Sequence, residues 1–230
     1  MLAKQNAVGS NPTIRSINTM KISFLYFDKL PIAIIDNFYT NEELILLGVE
    51  INFLLSGNDK FLSAELSNSA LDPVTNKPLR RSKTIVLDKV YIDRNISNIL
   101  AVSNKIFDDE IIKLLVKEHG FFRFLKHSNQ DCTKLHLYLD NDGYDKHTDG
   151  SVITSLSWLF DNPKNFEGGD LEIENSINIE CVFNRTVLIP SLLLHKVTDI
   201  KILNNEHSGR FCIAKFIGVS LDEFKIPSGK

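Results

Sequence analysis

Residues 135–149 read LHLYLDNDGYDKHTD, and this stretch decides how the rest of the chain is interpreted. His147 and Asp149 are two residues apart, so on an extended chain their side chains leave the same face. A third ligand from a distant strand would complete a set of two histidines and one carboxylate. Such a set leaves coordination positions open on a non-haem Fe(II) ion. His195, in an apolar segment further along, is the candidate third ligand.

A single His-x-Asp pair arises readily by chance, so its meaning depends on the segments that follow it. Those segments alternate between strand-like runs and turns marked by glycine or proline, as expected of a β-rich core. In order, they are the apolar run 152–160, the turn at Gly168 and Gly169, the alternating segment 170–174, the apolar run that ends at Pro190, the apolar segment 192–197 that carries His195, and the strand 211–219 that Arg210 opens.

This ordered set resembles the Fe(II)- and 2-oxoglutarate-dependent dioxygenases, specifically their prolyl-4-hydroxylase-like branch. The matching positions are, in the order of the family pattern, Tyr138, Gly143, Tyr144, His147, Asp149, Gly168, Gly169, Asp170, Leu171, Pro190, His195 and Arg210. The resemblance covers roughly residues 130–218. The sequence departs from the family pattern in one place: the segment between His195 and Arg210 is a few residues longer than usual. This extra length predicts a bulge or loop over 202–208.

Helix signals dominate the N-terminal half of the chain, and strand signals dominate the C-terminal half. Thr40 and Glu43 form a capping box before an apolar helix pattern that ends near Ser56, with Gly57 as its stop. Further patterns predict strands at 22–27, 32–35 and 84–91, and helices over 96–107 and 109–118. Helices that precede strands, without βαβ alternation, argue against a parallel doubly wound fold.

The resemblance implies a mainly β fold with N-terminal helices (α+β), namely a double-stranded β-helix of the jelly-roll, cupin-like type that the helices buttress. We expect a single dioxygenase domain over residues 20–230, with helical support over 40–120 and a catalytic β-helix core over about 121–220. Residues 1–19 are polar and lack an apolar signal core, so they are expected to be a disordered leader. Met20 is an alternative start of translation.

Composition narrows the class of protein further. The chain has 230 residues, 43% of them hydrophobic, and a net charge of −3. The length suffices for one substantial core, and the charge offers no basis for binding nucleic acid or a membrane surface. No apolar run approaches the roughly 20 residues that span a bilayer. Cys132, Cys181 and Cys212 form neither a zinc motif nor a disulfide framework, so we expect a cytoplasmic protein whose oligomeric state stays open.

The resemblance assigns roles to five residues. It implies that His147, Asp149 and His195 bind Fe(II), that Arg210 binds the distal carboxylate of 2-oxoglutarate, and that Tyr138 donates its hydroxyl to the same carboxylate. An arginine that points inward on an apolar strand face needs a buried anion, and its planar guanidinium donates two parallel hydrogen bonds to a carboxylate. Simpler roles stay open for His195 as a core histidine, for Arg210 as an exposed strand end, and for Tyr138 as a core tyrosine.

Other aromatic residues near the pattern carry less information. Core packing explains Tyr144 and Trp158 as well as a functional role does. The remaining histidines have no partner at ligand spacing and are expected to be structural or surface residues; they are His119, His127, His136 and His207.

The function implied by the resemblance is that of an oxygenase (hydroxylase) that uses Fe(II), 2-oxoglutarate and O2 to hydroxylate an unactivated C–H bond, with ascorbate as a candidate reductant. Asp149 favours hydroxylation, since related halogenases lack this carboxylate. A prolyl residue in a peptide or protein ranks first as substrate, ahead of a free amino acid or a natural-product intermediate. Two alternatives come from other classes: a cupin-like metal-dependent hydrolase or isomerase that binds zinc or manganese, and a non-catalytic binding module.

Residues 58–83 form the least regular segment before the pattern, and prolines punctuate it at Pro73 and Pro78. The segment contains a basic cluster of Lys77, Arg80, Arg81 and Lys83. A solvated loop with scattered charge is the simpler interpretation. The alternative is a substrate lid whose cations meet an acidic group.

Overall fold

The computed structural model describes residues 19–57, 60–203 and 209–220. Its strands are β1 (Lys21–Phe27), β2 (Leu30–Asp36), β3 (Lys83–Val86), β4 (Gln130–Tyr138), β5 (Tyr144–His147), β6 (Ile153–Leu159), β7 (Phe166–Glu167), β8 (Leu171–Ile173), β9 (Ile177–Ile179), β10 (Arg185–Pro190), β11 (His195–Val197), β12 (Lys201–Ile202) and β13 (Arg210–Gly218). Its α-helices are α1 (Asn41–Ser56), α2 (Leu87–Val90), α3 (Asn98–Ser103), α4 (Asp109–Glu118) and α5 (Arg123–His127). Short 3-10 turns lie at Arg94–Ile96, Asn104–Phe107 and Gly120–Phe122.

Two antiparallel sheets face each other across an apolar layer. The major sheet has seven strands in the order β1-β2-β10-β6-β13-β4-β3, and the minor sheet has four in the order β5-β11-β8-β9. The helices pack on the other face of the major sheet, where they share a second apolar core with it. The prediction of a mainly β, jelly-roll architecture with N-terminal helices is therefore confirmed.

Alternation along the central strands separates the two faces of the major sheet. On β13, Ile213 and Ile217 pack with the helices, whereas Cys212 and Ala214 belong to the core between the sheets. Successive side chains of a strand point to opposite faces, so Arg210 lies on the same face as Cys212. The guanidinium of Arg210 is thereby placed between the sheets.

Helix α1 follows its sequence signals. The Thr40 hydroxyl accepts a hydrogen bond from the Glu43 backbone N–H at 3.2 Å, and the Glu43 carboxylate accepts one from the Thr40 N–H at 2.7 Å. This is the predicted capping box, and the helix ends at Ser56, as expected from Gly57. The predicted strands at 22–27 and 32–35 are also present, within β1 and β2.

The predicted strand over 84–91 is wrong in its second half, because the chain leaves the sheet after Val86 and forms the short helix α2. Asp88 explains the change of direction. Its carboxylate accepts a hydrogen bond from the backbone N–H of Thr133 at 2.6 Å and lies 3.4 Å from the guanidinium of Arg94. These contacts hold the turn against β4.

The predicted helix over 96–107 is divided into α3 and the 3-10 turn that follows it. Ser97 begins α3 as an N-cap, since its hydroxyl accepts a hydrogen bond from the Leu100 N–H at 3.1 Å. The helix predicted over 109–118 is confirmed as α4.

Two predicted features fall on residues that the structure does not describe. Residues 1–18 of the expected leader are outside the described ranges, as are residues 204–208 of the expected loop. Within the described ranges, no helix has the length and apolar character needed to cross a membrane.

Glu50 joins the first helix to α3, and this contact gives a testable prediction. The buried carboxylate of Glu50 accepts hydrogen bonds from the Ser97 hydroxyl at 2.7 Å and from the Ile99 N–H at 2.8 Å. We expect Glu50→Ala to lower the free energy of unfolding in urea by about 2–3 kcal/mol, because two buried donors lose their acceptor. Glu50→Gln keeps one acceptor oxygen and should lose less; equal losses in the two variants would contradict this account.

Candidate metal centre and its anion pocket

Strand pairing brings the two candidate histidines together. His147 ends β5 and His195 begins β11, and the antiparallel register of these strands pairs the two residues directly. Asp149 lies just beyond β5, where its backbone N–H donates to the carbonyl of Ser191 at 2.9 Å. This hydrogen bond ties the segment after β5 to the segment before β11.

The three side chains converge on one point. The Nε2 atom of His147 lies 3.6 Å from Oδ1 of Asp149, and Nε2 of His195 lies 3.4 Å from Oδ2 of Asp149. One ligand atom from each residue lies within 4.8 Å of the other two. Ligands around one ion, at metal–ligand distances of about 2.1 Å, are separated by roughly 3 Å, so small rotations suffice to enclose a divalent cation.

Both imidazoles are held in the tautomer that a metal requires. The Nδ1 atoms of His147 and His195 each lie 2.8 Å from a backbone carbonyl, of Asp145 and Leu193 respectively. A carbonyl only accepts, so each Nδ1 carries the proton and each Nε2 presents a lone pair to the centre.

The charge states also suit a metal. Burial, together with the neighbouring His195, lowers the pKa of His147 to about 4, so this ring is neutral at neutral pH. Burial acts to raise the pKa of Asp149, but the neighbouring His195, Thr154 and His147 together outweigh burial, so the pKa lies below its ordinary value. Neutral imidazoles and an ionised carboxylate are the forms that bind metal ions.

A chain of hydroxyl groups orients the carboxylate of Asp149. Thr154 donates to Oδ2 of Asp149 at 2.6 Å, and its oxygen lies 2.9 Å from the Ser191 hydroxyl. The Ser191 hydroxyl in turn lies 2.7 Å from that of Ser151. Sequence reasoning missed these residues, since hydroxyl side chains have no characteristic spacing from a metal ligand.

Tyr144 contacts the centre directly, whereas the sequence left its role open. Its ring stacks on the imidazole of His147 with centroids 3.6 Å apart and planes inclined by 15°. Its hydroxyl accepts a hydrogen bond from the Ala70 N–H at 3.0 Å. The segment after residue 60 is thereby linked to a candidate ligand.

Arg210 is fully buried, which excludes its simpler interpretation as an exposed strand end. Its Nη1 atom lies 3.6 Å from Sγ of Cys181, but Nε and Nη2 have no hydrogen-bond partner among the described residues. The rings of Tyr138 and Trp158 lie 4.5 Å and 5.7 Å from its Cζ. A buried guanidinium without a counter-charge is costly, so this pocket is suited to an anion.

Trp158 supplies a further donor to the same pocket. Its indole Nε1 is buried and has no hydrogen-bond partner within the described ranges. Tyr138, which the sequence placed beside the anion, is likewise buried against Arg210. One small cavity is lined by the two histidines, Asp149, Tyr138 and Trp158, so the candidate metal centre and the rings beside Arg210 border a common space.

The predicted glycine turn borders the anion pocket. Gly168 and Gly169 both have positive φ angles, of 73° and 74°. A Cβ atom at Gly169 would lie 3.3 Å from Nε of Arg210, tighter than ordinary contact. The turn therefore needs glycine for its backbone conformation and for the close approach of the guanidinium.

One histidine set aside by the sequence also borders the small cavity. His136 is buried, and its Nδ1 lies 2.7 Å from the hydroxyl of Thr84. Burial and the nearby Arg80 hold the pKa of His136 well below its usual range. The position of His136 beside the cavity depends on the pairing of β3 with β4. The spacing of histidines along the sequence could not reveal this position.

A jelly-roll core in which two adjacent strands bring together two histidines and an aspartate defines a cupin-like structure with a candidate mononuclear metal centre. Among solved structures, a prolyl hydroxylase from Trichoplax adhaerens, in complex with a hypoxia inducible factor oxygen degradation domain peptide fragment, has this fold. It is 19% identical, with a TM-score of 0.57 over 81% of this chain and 83% of that chain.

Two further solved structures share the fold. A prolyl-4-hydroxylase from Pseudomonas putida is 13% identical, with a TM-score of 0.51 over 82% of this chain and 92% of that chain. A prolyl 4-hydroxylase from Phytophthora capsici is 16% identical, with a TM-score of 0.51 over 83% of this chain and 59% of that chain. No family model and no curated protein matches the sequence. The predicted resemblance to the prolyl-4-hydroxylase-like branch is thus confirmed in the fold.

The hydroxyl chain gives a prediction about metal affinity. We expect Thr154→Val to weaken the binding of Co(II), titrated by its visible absorption, by roughly tenfold to a hundredfold, because Asp149 loses the donor that orients it. Thr186→Val is a matched control: that hydroxyl is also buried, and it bonds to Ser157 at 2.7 Å instead. Similar affinities in the two variants would refute the role of Thr154.

Proposed function

We propose that this protein is an Fe(II)- and 2-oxoglutarate-dependent dioxygenase that hydroxylates a prolyl residue in a peptide or protein. One observation carries the proposal: a buried arginine, with two donor atoms unpaired among the described residues, contacts two aromatic rings that line a small cavity together with three potential metal ligands. A metal centre alone does not require a buried cation nearby. A centre that also binds a dicarboxylate does.

The donor set fits the cofactors. His147, Asp149 and His195 would hold Fe(II) through two imidazole nitrogens and one carboxylate oxygen. Arg210 would bind the distal carboxylate of 2-oxoglutarate, with the Trp158 indole N–H and the Tyr138 hydroxyl as further donors. Bound Fe(II), 2-oxoglutarate and O2 together supply the oxidation of a C–H bond, with succinate and carbon dioxide as co-products.

The protein's own residues then orient and enclose the reactants. The carbonyls of Asp145 and Leu193 keep both imidazoles turned toward the centre, and Thr154 keeps the carboxylate of Asp149 in place. The apolar layer between the sheets excludes water around Arg210, which strengthens its attraction for a carboxylate. No side chain is required to act as a nucleophile.

The prolyl substrate is supported by the fold and by the open groove beside Asp149. The Trichoplax adhaerens enzyme was solved with a peptide, and this chain has a groove of about 480 Å³ that reaches Asp149. A free amino acid or a natural-product intermediate is the alternative occupant. A cupin-like hydrolase or isomerase would not require Arg210, and a non-catalytic binding module would not require an intact set of three metal ligands.

We also propose that residues 20–230 form a single dioxygenase domain, because α1, α3, α4 and the major sheet share one apolar core. A cytoplasmic location is proposed on the basis that Cys132, Cys181 and Cys212 are all free.

The activity is tested by succinate formation. We expect the protein, supplied with Fe(II), 2-oxoglutarate and ascorbate, to form succinate, and proline-containing peptides to increase the rate. His147→Ala should abolish the reaction, because the centre loses a ligand. His127→Ala, which alters an exposed histidine on α5, should retain it. Equal succinate formation by the two variants, or none by the native protein, would exclude the proposed function.

The anion pocket is tested separately. We expect Arg210→Lys to raise the dissociation constant for 2-oxoglutarate by roughly tenfold to a hundredfold, because a hydrogen bond between charged groups contributes about 1.5–3 kcal/mol. Trp158→Phe removes only the indole N–H and a small part of the ring, and it should weaken binding by a smaller factor. Calorimetric titration of the Mn(II)-loaded protein measures both. Unchanged constants would place the dicarboxylate elsewhere.

A further inference from the structure

A second, larger groove borders the candidate metal centre, and its lining includes two cationic side chains. Its volume is about 480 Å³, and Asp149 and Tyr144 form the part nearest to the centre. Strand β4 contributes Lys134 and His136, and the segment before β3 contributes Arg80. The groove therefore reaches one of the candidate metal ligands.

Two cations in this groove lack a carboxylate partner. Arg80 is only 2% exposed, and its guanidinium donates to the Ser67 hydroxyl and to the Ser82 carbonyl, both neutral. The ammonium of Lys134 donates to the carbonyl of Asn68 at 3.3 Å. Within the described ranges, no Asp or Glu oxygen lies within ion-pair distance of either cation.

Of the two carboxylates that line the groove, one is ion-paired and the other belongs to a candidate metal ligand. Asp131 lies 2.6 Å from Arg94 and 3.0 Å from Lys215, and Asp149 faces the two histidines. Neither is available to neutralise Arg80. Burial, together with the proximity of Arg80, lowers the pKa of Lys134.

Arg81 has a different environment, although it is the next residue. Its guanidinium forms ion pairs with Asp145, at 3.0 Å, and with Asp199. The two arginines of the basic cluster thus differ, since among the described residues Arg81 forms ion pairs and Arg80 forms none. Of these two arginines, only Arg80 lines the groove.

The position of Arg80 is fixed by backbone pairing. The Asp145 N–H donates to the Leu79 carbonyl, and the Arg81 N–H donates to the Gly143 carbonyl, both at 3.0 Å. Residues 79–81 therefore run beside the strand that ends at His147. A solvated loop is the wrong description of this part of the segment.

We infer that the substrate carries a carboxylate that binds to Arg80 and Lys134 while the carbon to be oxidised lies beside the metal ligands. The inference rests on the proposed dioxygenase function and narrows its substrate class. The carboxylate comes from an acidic residue next to the target in a peptide, or from the α-carboxylate of an amino acid. A guanidinium that is already desolvated and held by neutral partners is well prepared to bind a carboxylate in a charge-assisted pair.

The test compares ligands that differ only in this charge. One pair is N-acetyl-L-proline and N-acetyl-L-prolinamide, and the other is the peptide acetyl-Gly-Pro-Asp-Gly-amide and the same peptide with asparagine in place of aspartate. Calorimetry on the full chain, loaded with Mn(II) and 2-oxoglutarate, gives the dissociation constants. We expect the acid of at least one pair to bind at least tenfold more tightly than its amide. The pair of ligands that shows this difference in dissociation constant identifies the source of the carboxylate, either an acidic residue in a peptide or the α-carboxylate of an amino acid.

Variants assign the effect to the groove. Arg80→Gln should reduce the preference for the acid to within twofold, and Lys134→Gln, at a half-buried position, should reduce it in the same direction even where Arg80→Gln does not fold. Lys77→Gln, which removes an exposed charge from the same segment, should keep the preference.

Two failures are distinguishable. A native protein that binds no 2-oxoglutarate refutes the proposed function. A protein that binds 2-oxoglutarate but responds equally to acid and amide, including no response to either, overturns the inference about the carboxylate alone.

Discussion

The site depends on the pairing of β5 with β11. These strands are short and lie in the smaller sheet, yet their register places His147 opposite His195 and leaves Asp149 within reach of both. Everything else around the centre supports this arrangement. Backbone carbonyls turn the rings, hydroxyl groups hold the carboxylate, and the stacked ring of Tyr144 covers one face of His147.

The charge distribution of the interior is as informative as the metal ligands. A folded protein rarely keeps a guanidinium out of water without a counter-charge. Among the described residues, Arg210 contacts the thiol of Cys181 and two aromatic rings, none of which supplies a formal negative charge. Arg80 is a second buried cation, and its hydrogen-bond partners among the described residues are neutral. Arg210 lies among the core residues between the two sheets, whereas Arg80 lines the open groove. Because the two arginines occupy different places, they are suited to two different anions.

Much of the fold could be predicted because its signals are local. The capping box at Thr40, the glycine turn at Gly168 and the alternation after Arg210 each specify a short stretch of backbone. The start of α3 after Ser97, two residues later than predicted, depends on a contact with Glu50 on another helix, which the local pattern does not contain. The early end of β3 likewise depends on a long-range contact of Asp88.

The same distinction applies to the site. The convergence of His147, Asp149 and His195 could be anticipated from order along the chain, whereas the contribution of Thr154 and the unpaired indole of Trp158 arise only from packing. Neighbouring arginines give the sharpest example. Nothing in the sequence distinguishes Arg80 from Arg81, because residues outside regular strands have no periodicity that assigns a face.

The alternation along β13 has a consequence for how this chain tolerates insertions and deletions. The strand is held on both sides, by β4 and by β6, and its even-numbered residues face the space between the sheets. Loss or gain of one residue within it would turn Arg210 toward the helices and bring Phe211 into the anion pocket. Length variation in this half of the molecule is therefore confined to the connections between strands.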